Sequence, residues 1–211
     1  MKIFQNLSEL LFPHRCISCA VLGSSLCSQC RLGWNLHHYT TQLEGLTVTS
    51  SILYSNVASK VLLAAKESHI QRADLLVSQA ITQSLKNFLA ASQCDFLVPI
   101  PSRASAVRKR GRQFVTEVAL NSSQECGVPL IEMITHSRKV RDQSGLHLLD
   151  RRNNLAGAFV IPLQLQRRGK AVLVDDLVTT GSTLLEAARA LRYAGIEVIG
   201  AVTAAVAQPL R

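Results

Sequence analysis

The chain has 211 residues, 47% of them hydrophobic and 18% charged, which suffices for one α/β domain with a small appendage and excludes wholesale disorder. No apolar run approaches the ~18 residues needed to span a bilayer, and Gln5, Asn6, Ser8 and Glu9 interrupt the opening MKIFQNLSELLF, so neither a transmembrane segment nor a secretory signal is expected and the location reads as cytoplasmic. The net charge of +9 is concentrated in residues 103–170, where 13 basic and 5 acidic residues give +8 and call for an anionic counterpart such as the phosphates of a small molecule or of a nucleic acid.

In chain order, Ile3, Phe4, Leu7, Leu10 and Leu11 recur with helical spacing and predict a short amphipathic helix. The stretch CISCAVLGSSLCSQC follows, with two Cys-x-x-Cys pairs, Cys16/Cys19 and Cys27/Cys30, seven residues apart. Each pair puts two thiolates on one tight turn, and four thiolates complete the tetrahedral shell of a structural zinc. Without a signal peptide, clustered cysteines point to metal rather than to disulfides. Residues 1–38 are thus expected to form a zinc-binding segment, and residues 39–211 the main domain. Cys94 and Cys126 lack partner spacing and read as small apolar residues.

TVTSSILY predicts a short strand, and two helical faces follow. One is Val57, Val61, Leu62 and Ala65; the other is Leu75, Leu76, Ile81, Leu85, Phe88 and Leu89. Lys66, on the first of these helices, is long enough to reach a site, but its helical setting favours a solvated lysine. DFLVPIP predicts a buried strand ending in a loop, followed by the basic stretch SRASAVRKRGRQF and a helix that ends near residue 125, and VPLIEMI predicts a second strand. Strand KAVLV, an acidic loop, a helix over 183–194 stopped by Gly195, and strand EVIGAVTAAV complete the pattern. Strands alternating with helices imply a mainly parallel sheet.

The loop after KAVLV has two chemical halves. Thr179, Thr180, Gly181, Ser182 and Thr183 offer hydroxyls, a close backbone approach and the unpaired N–H groups of a helix start, all of which suit a phosphate. Asp175 and Asp176 would repel that phosphate, but they suit a neighbouring diol or a hydrated Mg²⁺. A ribose 5-phosphate satisfies both halves. On the helix that follows, Leu184, Leu185, Ala188 and Leu191 form the apolar face, with Glu186, Arg189 and Arg192 opposite.

VLVDDLVTTGSTL resembles the phosphoribosyl-pyrophosphate (PRPP) motif of type I phosphoribosyltransferases, and the wider chain resembles the ComF family of competence proteins. LLFPHRCISC, LCSQC with Trp34, LVPIPSRASAVRKRG and RDQSGLHLLDRRNNLAGAF carry that likeness in order along nearly the whole chain. The resemblance implies a type I phosphoribosyltransferase fold behind a four-cysteine zinc segment. It implies that Asp175 and Asp176 contact the ribose hydroxyls, one of them through the waters of Mg²⁺, and that residues 179–183 cradle the 5-phosphate. Ser102 and Arg103 would face the pyrophosphate, and residues 138–152 would correspond to a loop that covers the site. Arg108, Lys109, Arg110 and Arg141 would serve pyrophosphate or nucleic-acid contacts.

The resemblance further implies phosphoribosyl transfer to an acceptor, a role in competence and DNA uptake, or, as a different class of function, a non-catalytic single-stranded DNA-binding accessory. Two departures stand out. Purine-salvage relatives usually carry an acid where this chain has Thr179, and the family's Arg-Gly-aromatic-Asn-Gln appears here as RGRQF, residues 110–114.

Overall fold

The computed structural model describes residues 14–137, 157–165 and 167–207. The expected N-terminal helix, residues 138–152 and Arg141 lie outside them. A five-stranded sheet organises the fold: β1 (Tyr39–Leu43), β2 (Leu46–Leu53), β3 (Phe96–Pro99), β6 (Lys170–Val178) and β7 (Glu197–Val206), in the order β1-β2-β7-β6-β3. Only β1 and β2 pair antiparallel; β2–β7, β7–β6 and β6–β3 are parallel. Two short strands, β4 (Thr135–His136) and β5 (Phe159–Val160), form a separate antiparallel ribbon.

Period-two alternation along β6 divides the core. Val172 and Val174 face one apolar cluster, while Ala171 and Leu173 face the other. The first cluster takes in α2 (Asn56–Ser68), α3 (Gln71–Leu89) and α5 (Phe114–Cys126); the second takes in α6 (Ser182–Tyr193). Both faces of the central strands are covered, as continuous apolar runs in a parallel sheet require. Gly200 of β7 has no side chain because Phe88 of α3 lies there: a Cβ would stand 2.4 Å from its ring.

The cysteine segment, with α1 (Ser28–Arg31), joins the first cluster through Cys16, Leu26, Cys30 and Trp34. Its docking surface is the start of α2. Ser55 caps that helix by accepting from the Ala58 N–H at 3.1 Å and donates to the Gly33 carbonyl at 3.0 Å, and Lys60 Nζ donates to the Ser18 carbonyl at 2.6 Å. No described helix is long and apolar enough to cross a membrane.

Several expectations change. VPLIEMI forms no strand; it touches the sheet through one bridge, Leu130 to Leu97, and buries Met133 and Ile134 from an irregular segment. An apolar run of that length fits buried coil as well as strand. A hairpin closed at Glu44 and Gly45, both with positive φ, adds β1 ahead of the predicted strand. Leu75 is exposed, because the buried stripe of α3 runs through Ala73, Val77, Ile81 and Leu85. Glu186 is buried rather than on a polar face, gripped by Arg189 at 2.6 and 2.7 Å.

Candidate functional site

β6 continues past KAVLV to Val178, so Asp175 and Asp176 stand within the strand near its carboxyl end rather than on a free loop. Asp175 pairs with Thr203 of β7, and this parallel pairing keeps the backbone extended. Beside the two acids opens a cleft of about 380 Å³. Its lining includes Asp175, Asp176, Ser102, Arg103, Thr179 and Thr183, six residues expected at a ligand site, brought together from positions more than 70 apart in the chain. It sits outside the carboxyl ends of parallel strands, where open α/β sheets bind ligands.

The two acids are unequal. Burial, together with the neighbouring Asp176 charge, raises the Asp175 pKa well above 3.8. Burial works the same way on Asp176, but the Lys66 ammonium 2.7 Å away outweighs it and holds Asp176 below that value. The two environments thus favour the proton on Asp175 and the charge on Asp176, with the Asp176 backbone N–H donating to Asp175 Oδ1 at 2.8 Å. Lys66 is thus a cleft residue, not the solvated lysine its helical setting predicts. Its side chain retains 32% exposure, and burial, which would lower its pKa, is outweighed by the two aspartates, which raise it.

At the other end of the strand–turn–helix unit, Gly181 takes φ +74° at the N-cap of α6. A Cβ there would lie 2.3 Å from Leu43 Cδ1, so the β1–β2 hairpin closes against the back of the turn. The Thr180 and Ser182 hydroxyls bond each other at 2.9 Å, Thr180 Oγ1 accepts from the Ser182 N–H at 3.4 Å, and Gly181 at the N-cap brings no side chain. The first N–H groups of α6 therefore have no intrahelical partner and suit an anion.

The loop after β3 forms the facing wall. Gln113 Oε1 accepts from the Ser102 N–H at 3.0 Å, and His136 Nε2 lies 3.0 Å from the Pro101 carbonyl, to which it donates. In RGRQF the amide side chain of Gln113 thus fixes the loop backbone. Arg112, at the family's aromatic position, forms a bidentate bridge to Asp74 at 2.7 and 2.8 Å and lies 5.1 Å over the Phe114 ring.

The basic run itself is partly neutralised. α4 (Ala104–Arg110) exposes Arg108, but Arg110 pairs with Glu67 at 2.5 Å and Lys109 approaches the same carboxylate at 3.5 Å. Of these three, only Arg110 lines the cleft. Sequence reasoning missed Glu67, Gln113 and His136, and weighed a site role for Lys66 only to favour a solvated one. Their partners lie 11 to 110 residues away, or in Glu67's case on another helix, beyond any local pattern.

The four cysteines converge. Their sulfurs all lie within 4.8 Å of one another, and those of Cys19 and Cys27 are 3.5 Å apart. Tetrahedral zinc thiolate bonds imply sulfur separations of about 3.8 Å, so the set fits zinc. Burial opposes the Cys16 thiolate, but backbone N–H groups of Cys19, Cys27 and Ser18 bring it to about 6. At Cys30 a hydrogen bond with Ser18 favours the thiolate; burial and the other three thiols outweigh it and push the pKa up to about 12. Four sulfurs this close need a cation before all can ionise. Cys94, away from this cluster, is a half-buried thiol pushed up to about 11 by burial.

Residues 75–209 match the family model described as phosphoribosyl transferase domain. The chain is 31% identical over 108 residues to competence protein F of Haemophilus influenzae, covering 50% of this chain and 47% of that protein. It is 47% identical over 60 residues to DNA utilization protein YhgH of Escherichia coli O157:H7, covering 28% of this chain and 26% of that one. The chain thus spans half or less of the length of these curated relatives. Among solved structures, an adenine phosphoribosyltransferase aligns at TM-score 0.46 and 14% identity, covering 85% of this chain and 89% of the other. The enzyme of that name from Trypanosoma brucei aligns at 0.46 and 11%, with 81% and 87% covered.

Proposed function

Because the chain belongs to the family of phosphoribosyl transferase domains, and with its four-cysteine cluster fits a ComF-like protein, we propose that its cleft binds PRPP with Mg²⁺ and transfers the phosphoribosyl group to an acceptor in support of competence and DNA uptake. The observation that carries this reading is the meeting of Asp175 and Asp176 with Ser102, Arg103, Thr179 and Thr183 around one cleft.

In this reading the aspartates accept from the ribose hydroxyls, and the Gly181 turn with the α6 N-terminus receives the 5-phosphate. The Ser102–Arg103 loop then faces the pyrophosphate. Breaking the C1–oxygen bond leaves positive charge on the sugar and negative charge on the departing pyrophosphate. The Asp176 carboxylate, favoured in its charged form by Lys66, lies on the sugar side, where it stabilises the first; arginine on the facing wall stabilises the second. Adjacent carboxylate oxygens without further acidic ligands fit Mg²⁺, which keeps its waters and binds through substrate phosphates rather than in an all-protein cage. When bound, the ion offsets charge on the pyrophosphate. Zinc held by Cys16, Cys19, Cys27 and Cys30 is structural in this reading, and thiolates kept for metal accord with a reducing, cytoplasmic setting.

Calorimetric titration with PRPP, with and without Mg²⁺, tests the proposal. The wild-type protein binds in a Mg²⁺-dependent way, and the Asp175→Asn/Asp176→Asn variant, folded by its melting curve, loses at least about tenfold in affinity. Equal affinity in the two proteins refutes the assignment. A screen of nucleobases and amines for pyrophosphate release then identifies the acceptor.

A further inference from the structure

Lys66 and Glu67, adjacent at the carboxyl end of α2, set opposite charges against two different residues of the cleft lining, Asp176 and Arg110. Lys66 Nζ holds Asp176 at 2.7 Å. Glu67 holds Arg110 at 2.5 Å. Neighbouring helical residues diverge by about 100°, so one helix end can address both. The helix end is itself fixed. His69 terminates it in the left-handed conformation at φ +53°, and Arg112 ties the Ala65 carbonyl to Asp74 of α3. Adjustment at this end therefore falls to side chains rather than backbone.

Arg110 is the more telling member. Its side chain is 14% exposed and lines the cleft, yet its Nε is buried without a hydrogen-bond partner among the described residues. A guanidinium presents five N–H donors in a fixed fork that matches phosphate oxygens. A buried donor left unsatisfied costs free energy that a phosphate ligand would recover.

We propose that the end of α2 sets the charge of this cleft: Lys66 is a positioning cation that aims Asp176 at the ligand and lies beside its phosphates, and Glu67 is a built-in competitor that a phosphate must displace from Arg110. The inference rests on the PRPP reading and deepens it, assigning roles of opposite sign to two neighbouring residues. A general attraction between a basic protein and an anion assigns no such local roles.

The experiment titrates wild type, Lys66→Met, Lys66→Arg, Glu67→Gln and Glu125→Gln with inorganic pyrophosphate and with PRPP plus Mg²⁺, at about 0.3 M salt so that exposed charges are screened. Glu67→Gln binds pyrophosphate about fivefold more tightly. Lys66→Met binds PRPP about tenfold more weakly, and Lys66→Arg recovers most of that loss. Glu125→Gln removes an exposed acid paired with Lys86 and changes neither affinity. Unchanged or weaker pyrophosphate binding by Glu67→Gln, or undiminished PRPP binding by Lys66→Met, overturns the inference while leaving the ligand assignment standing. No PRPP binding by wild type overturns the ligand assignment and this inference with it. Melting curves separate local effects from unfolding, and a Lys66→Arg protein that folds but binds as poorly as Lys66→Met also counts against the proposal.

Discussion

His136 shows how much of the cleft depends on single side chains. It occupies the two-residue strand β4, donates from Nε2 to the Pro101 carbonyl and packs 5.0 Å from the Phe159 ring. Its Nδ1 is buried with no hydrogen-bond partner among the described residues. Burial, the largest influence, lowers its pKa below 6.5, and the nearby Arg103 charge works in the same direction. The backbone carbonyls of Pro101 and Ser102 favour the protonated ring but do not offset burial. The sign of the pH dependence follows: above 6.5 the ring is neutral in both folded and unfolded chains, and its stabilising contribution is complete. As pH falls from 6.5 towards the lower folded-state value, the unfolded chain takes up a proton that the folded chain refuses, and that contribution is lost. His136→Gln can still donate to Pro101 but does not titrate. Melting temperatures from pH 7.5 to 5.5 should therefore fall more for wild type than for His136→Gln, and PRPP affinity should follow. Parallel curves would show that the ring does not carry this dependence.

At the scale of elements, α2 links the four-cysteine segment to the cleft. Its 13 residues span about 20 Å. Gly33 packs so closely on Val57 at the first end that a Cβ would come within 2.9 Å, while Lys66 and Glu67 occupy the other end. Removing zinc by chelation, or substituting Cys30→Ser, should lower the melting temperature by roughly 10 °C and weaken PRPP binding at a distance. Cys94→Ser should change neither, since Cys94 belongs to no cluster of metal-ligating residues among those described. Metal content by mass spectrometry alongside calorimetry checks this; full PRPP affinity in the zinc-free protein would show that the two ends of α2 act independently.

The same helix marks where sequence ceased to be legible. The cysteine pairs could be read because their chemistry lies in local spacing, and strands β6 and β7 because buried parallel strands are nearly continuous apolar runs. The Lys66–Asp176 bridge could not, because 110 residues separate its partners and a lysine on a helix carries no local sign of its target. VPLIEMI misled for the opposite reason: its burial was readable, but its lack of pairing depends on neighbours elsewhere in the chain.

For the whole molecule, the question is whether its net charge of +9 acts as a surface for nucleic acid. Composition places +8 within residues 103–170, but folding sets acids from other segments against part of it. Glu67 takes Arg110 and approaches Lys109, and Asp74 takes Arg112. Arg167 lies over the Phe96 ring. Eight fully engaged cations would give a slope of about −6 for log affinity against log salt on single-stranded DNA. Arginines already held by carboxylates release few counterions, so a shallower slope, about −2 to −3, is expected. The contributions should also be uneven. Arg108→Ala, which removes an exposed charge, should reduce the slope by about 0.7, whereas Arg110→Ala should barely alter it while weakening PRPP binding. Fluorescence anisotropy with a labelled oligonucleotide over a salt series measures both. A slope near −6 that falls equally in the two variants would mean that DNA strips Glu67 from its partners, making the basic run one continuous phosphate track. The expected pattern instead leaves Arg110 to the cleft and Arg108 to the surface, two neighbouring arginines on one short helix serving different anions.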